Sequence, residues 1–106
     1  MTRISNYVFP IAEGRYVYGS SNTLCSDTGR KSIAIQNDCK EAAKELGKPF
    51  QGVANGVTYP KGCFFNIYNK DPDTGIENVW FNMHETGQRA TDSHPICYNG
   101  KGKSIK

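Results

Sequence analysis

The stretch Asn78-Val79-Trp80-Phe81-Asn82-Met83-His84 alternates in the manner of a strand, and both of its faces carry information. As a strand it sends Val79, Phe81 and Met83 to one face of a sheet and Asn78, Trp80, Asn82 and His84 to the other. The first set asks for a core. The second sets the chain's only tryptophan among asparagines, an expensive place for a large ring unless something is to be met there.

Working outward, a second alternating run begins at Cys63, with Cys63, Phe65 and Ile67 on one face and Phe64, Asn66 and Tyr68 on the other. Between the two runs lies Asn69-Lys70-Asp71-Pro72-Asp73-Thr74-Gly75. Proline near its start and glycine at its end predict a hairpin turn. Further upstream, Asn37-Asp38-Cys39-Lys40-Glu41-Ala42-Ala43-Lys44-Glu45-Leu46-Gly47 has an Asn/Asp cap, good helix formers and a terminal glycine. It predicts a helix of about two to three turns. Cys39, Ala42, Ala43 and Leu46 fall at i, i+3, i+4 and i+7, so they share one buried face. A hairpin whose apolar face meets that helix is a two-layer α+β domain: one short helix on an antiparallel sheet.

The remaining segments are less regular. Tyr7-Val8-Phe9-Pro10 and Arg15-Tyr16-Val17-Tyr18 are short strand candidates broken by Pro10, Gly14 and Gly19. Lys31-Ser32-Ile33-Ala34-Ile35 reads as a short strand or an extended lead-in to the helix, and 49–60 as loop or edge strand. The expected organisation is an extended N-terminal arm over 1–24, a cysteine-rich α+β module over 25–98 and a basic tail over 99–106.

The chain has 106 residues, 37% of them hydrophobic, and a mean hydropathy of −0.61. Its core is thin, and staples would help it. Cys25, Cys39, Cys63 and Cys97 are 14, 24 and 34 residues apart, which fits no tight metal-ligand pair and favours two disulfides. Three pairings are possible. A zinc site assembled by the fold is the alternative.

The net charge of +3 is small, and only Lys101, Lys103 and Lys106 cluster, so no nucleic-acid partner is expected. No stretch approaches the roughly 18 apolar residues of a membrane span. No Asn-x-Ser/Thr sequon occurs among nine asparagines. The chain opens Met1-Thr2-Arg3-Ile4-Ser5-Asn6, without the apolar segment of a secretory signal. The expectation is that a signal was removed or that the oxidising environment is reached otherwise, as on a released particle.

Taken in order, Cys39 on the helix, Ala42-Ala43, Leu46-Gly47, Tyr59-Pro60-Lys61-Gly62-Cys63, Val79-Trp80-Phe81-Asn82, Gly87 and Pro95-Ile96-Cys97 resemble a small cysteine-rich module. That module is associated with secreted and surface proteins of algae and other protists and with large viruses that infect them. The resemblance covers roughly 25–98. It implies a disulfide framework and an extracellular or particle-surface setting, and it carries no catalytic residues across.

The hairpin's inner face, packed on the helix face that bears Cys39, brings Cys63 to Cys39. Cys25 is then left for Cys97, tying the two ends of the module. In the chain-entropy picture, loops of this size are each worth roughly 3.5 to 4.5 kcal/mol. The outer face shows Phe64, Asn66, Tyr68, Asn78, Trp80 and Asn82. An aromatic platform ringed by amides suits a sugar, whose C–H edges sit on rings while amides supply donors and acceptors. It equally suits a protein subunit, since Trp and Tyr favour interface centres. Residues 1–24 folding over this face would bury it instead.

Enzyme chemistry is poorly signalled. His84 beside Glu85, and His94 near Asp92 and Ser93, supply acid, base and nucleophile types without a triad order or a motif. Asp71 to Gly75 lacks the ligand series of a calcium loop, and Gly29-Arg30-Lys31-Ser32 lacks the first glycine of a phosphate loop. No catalytic residue, cofactor or metal site is expected. The function expected is structural: a virion or other extracellular component of minor capsid or surface-fibre type, contacting other protein subunits. A carbohydrate-binding module built on Trp80, Asn78 and Asn82 is the alternative.

Overall fold

The computed structural model describes residues 14–100. The strand candidate from Tyr7 to Pro10 and the lysines from Lys101 onward lie outside them. One helix, α1 (Gln36–Glu45), packs on a five-stranded sheet of β1 (Tyr16–Tyr18), β2 (Phe50–Ala54), β3 (Gly62–Lys70), β4 (Glu77–Asn82) and β5 (Ser93–Tyr98). The spatial order is β1-β5-β3-β4-β2. All pairs are antiparallel except β2 with β4. This is the small α+β fold that the two alternating runs predict.

The hairpin joins β3 and β4 with Phe65 opposite Val79, Phe64 opposite Trp80 and Cys63 opposite Phe81. Its turn is held by Asp71, whose carboxylate accepts from the backbone N–H of Asp73 and Thr74, while Gly75 takes the left-handed conformation that closes it. On the front face Cys39, Ala42 and Ala43 of α1 are 0–1% exposed against Cys63, Phe65, Val79 and Ile96. The two alanines let the helix lie close, and Cys39–Cys63 bonds it to the sheet. α1 ends in a left-handed Gly47, with Lys48 N–H bonding Ala43 C=O and Gly47 N–H bonding Lys44 C=O.

Several expectations are corrected. The helix starts one residue before Asn37: Ile35 is the cap residue, without a side-chain cap bond, and its carbonyl accepts from Asp38 and Cys39 N–H. Asp38 is drawn instead into a hydrogen bond from the Tyr98 hydroxyl, a tertiary contact that outweighs local capping. Met83 is 59% exposed, because β4 ends at Asn82 and no helix residue reaches beyond it. The boundary drawn at residue 24 also falls too late. β1 lies within the segment read as an arm, pairs Tyr16 with Tyr98 and Val17 with Cys97, and buries Tyr16 in the core.

Residues 31–33 make no strand, only a bridge of Ser32 to Cys97, yet Ile33 is fully buried. They continue the line of β3 beyond Gly62. Gly62 has φ +84°, and a Cβ there would lie 2.5 Å from the Ile33 carbonyl oxygen, so the crossing tolerates no side chain. Among the described residues no helix is long and apolar enough to cross a membrane.

Candidate functional site

The back of the sheet is divided. Its β1–β5 half lies under residues 19–30, which bond to it through Gly19 N–H to Pro95 C=O and Asn22 N–H to Ser93 C=O. The second disulfide, Cys25–Cys97, fastens this cap. Arg89 clasps it from the loop after β4, and that pairing holds the Asp27 carboxyl below its usual range. Sequence reasoning allowed residues 1–24 to cover the outer face. Residues 19–24 lie along this half and not over the Phe64–Trp80 face, and residues 1–13 lie outside those described.

Among the described residues the β3–β4–β2 half is left open and forms a cleft of about 320 Å³, lined by Ala54, Tyr59, Phe64, Asn66, Tyr68, Asn69 and Trp80. That volume is at the small end for ligand sites. Phe64, 3% exposed, is its floor, with Tyr59 stacked on it at 5.1 Å between ring centroids. Trp80 is open because its neighbour on β2 is Gly52, which a bulge at Gln51 brings opposite it. Tyr68, 77% exposed, stands at the rim.

Much of the polar capacity of this face is spent inside the protein, although Asn78 Oδ1 is buried without a hydrogen-bond partner among the described residues. Asn69 Oδ1 accepts from both Trp80 Nε1 (3.0 Å) and Asn78 Nδ2 (2.9 Å). Asn66 donates to Ser93 Oγ and accepts from Tyr68 N–H, so both ends of its amide are committed. Asn82 is 1% exposed; its Nδ2 donates to the carbonyls of Gly56, Tyr59 and Pro60, and its Oδ1 accepts from Gly56 and His84 N–H. Six residues were expected on this face as an interface or ligand site. Phe64, Asn66, Tyr68 and Trp80 line the cleft; Asn78 and Asn82 do not. Asn78 sits behind the wall, 7% exposed, tying Asn69 in place. Asn82 moulds the 55–60 loop that carries Tyr59.

Tyr59, Ala54 and Asn69 escaped sequence reasoning. Alternation places strand residues only, and Tyr59 arrives on a loop positioned by Asn82 and by Gly87, whose φ is +58° and where a Cβ would strike the Tyr59 and Lys61 backbone. Both histidines hold structure. His84 Nδ1 accepts from Thr86 and Gly87 N–H, which makes it the unprotonated ring nitrogen. His94 Nδ1 donates to Gly19 C=O while its ring stacks on Phe65. Its neighbour Ser93 points to the opposite face, towards Asn66. All four cysteines are in disulfides, which overturns the zinc alternative for them, and among the described residues no group of three His, Cys, Asp or Glu side chains gathers.

Comparison with family models, curated proteins and solved structures returns no match to this chain.

Proposed function

We propose that this chain is a non-enzymatic structural or interaction module, a component of a virion or other extracellular assembly of minor capsid or surface-fibre kind, and that its back cleft seats against another protein subunit. One observation carries the reading: the cleft is walled by the rings of Phe64, Tyr59, Tyr68 and Trp80, and the Asn66 amide and the Trp80 indole N–H beside them are already paired within the chain. Such a surface offers rings and shape. A sugar would need several free donors and acceptors, whereas an apolar or aromatic side chain of a partner needs few. The two disulfides fit maturation in an oxidising setting. The likeness to a module of algal, protist and large-virus surface proteins points the same way. Both histidines serve as hydrogen-bonding parts of turns and strand contacts, and neither lines the cleft.

The test is photo-cross-linking from a benzophenone side chain placed at Tyr68 in the full chain, carried out in the cells that make it. A discrete protein adduct that Trp80→Ala abolishes is expected. Absence of any protein adduct, with glycan-array binding that Trp80→Ala abolishes, would overturn the reading in favour of a lectin.

A further inference from the structure

The cleft lies on β2, β3 and β4, while the described chain begins at Gly14 at the opposite end of the sheet and on the opposite face. There Gly14 sits against the Glu45 carboxylate of α1, where a Cβ would collide with it. The residues before it include Tyr7-Val8-Phe9-Pro10-Ile11, the longest apolar run in the chain apart from segments built into the sheet. Proline in such a run lacks an N–H and favours an extended conformation, the form that aromatic-lined grooves accept at little entropic cost. The cleft is of that kind, with Tyr59, Tyr68 and Trp80 around Phe64.

Reach decides which copy supplies the segment. From β1 to β4 the sheet spans three strand spacings, about 14 Å, and passing from the helix side to the back adds about 10 Å. Five residues of extended chain, from Gly14 to Phe9, cover at most about 18 Å. The direct route over the back is also taken by residues 19–30 and the Cys25–Cys97 disulfide. Phe9, Pro10 and Ile11 therefore fall short of their own cleft.

We propose that Tyr7–Ile11 of a second copy of this chain occupies the cleft, with Phe9 and Pro10 between Tyr59 and Trp80. This rests on the reading of the cleft as a protein-docking surface and names its occupant. Reciprocal exchange closes a two-fold dimer; one-way exchange builds a chain of subunits.

Trp80 is the only tryptophan, so its emission reports on the cleft alone. Two full-length variants divide the parts: Tyr7→Ser with Phe9→Ser keeps Trp80 and loses the docking segment, whereas Trp80→Phe keeps the segment and is dark. Wild-type emission is expected to move to longer wavelength on dilution. The double-serine variant is expected to emit at the wavelength of fully diluted wild type at every concentration, and excess Trp80→Phe protein to shift that emission back. Adding Tyr68→Ala to the double-serine variant should weaken the recovery. Wild-type emission matching the double-serine variant at all concentrations would overturn the proposal, and so would short-wavelength emission that ignores both dilution and mixing. A Tyr68 cross-link to a different protein, alongside a negative emission result, would leave the function standing and remove only this occupant.

Discussion

The two faces of this sheet are built from the same kind of alternation and end in opposite states. On the front, Cys63, Phe65, Val79 and Ile96 meet two alanines and a cysteine of α1, and the face closes to near-complete burial. On the back, among the described residues, only the Tyr59 ring lies over Phe64, while Trp80 and Tyr68 meet no second layer, and the cleft remains. The front is closed by small residues that admit a helix, and the back is held open by a glycine opposite Trp80 and a clamped loop. Burial thus follows from what lies opposite a strand as much as from the strand's own residues.

The largest effects should come from the staples, one on each face. Replacing Cys25 and Cys97 together by alanine is expected to cost about 4 kcal/mol, and replacing Cys39 and Cys63 about 3.5 kcal/mol, in chemical denaturation, since the first pair spans 72 residues and the second 24. Equal or reversed losses would break the idea that loop length governs. In the core, Ile96→Ala on the front should cost about 3 kcal/mol, while Tyr68→Ala at the exposed rim of the back should change stability by less than about 0.5 kcal/mol.

Asn82→Ala sharpens the comparison because it belongs to neither extreme. It strands the carbonyls of Gly56, Tyr59 and Pro60 and should cost about 2 to 4 kcal/mol in the same denaturation assay. It should also weaken the Tyr68 cross-link by releasing Tyr59. Loss of stability with an unchanged cross-link would show that Tyr59 is dispensable to the contact.

The smallest effect is electrostatic and belongs to the front. Burial, reinforced by the hydrogen bond to Asp38, pushes the Tyr98 hydroxyl up to about 12. The unfolded phenol ionises near pH 10, so the stability this group contributes is whole below about pH 10 and is lost as pH rises towards 12. Tyr98→Phe should make the fall of the unfolding midpoint over that interval shallower. Burial and Glu41 raise the Tyr16 hydroxyl as well, so part of the slope will persist. An unchanged slope in Tyr98→Phe would place the alkaline transition elsewhere.

Much of the front was legible in the sequence because helical and strand periodicities name the residues that must meet. Cys39, Ala42 and Ala43 at helical spacing, opposite Cys63 and Phe65 at strand spacing, imply the layer and its disulfide. The parts that stayed hidden depend on partners far along the chain. β2 pairs in parallel with β4, and β1 gains its place only from β5, so neither carries a local signal beyond short β-prone runs. The back was half legible: alternation put Phe64, Asn66, Tyr68 and Trp80 together, and the structure does the same. It could not tell an asparagine that faces outward from one that holds a loop, because Asn82 and Asn66 share a face and differ only in what lies above them.

The most direct test of the account is a pair of readings on Trp80→Ala: its unfolding free energy and its Tyr68 cross-link. The account predicts a stability loss under about 1 kcal/mol with the cross-link gone, as for a residue at the centre of an interface. A loss of about 3 to 5 kcal/mol, as for a core tryptophan, with the cross-link intact would contradict it.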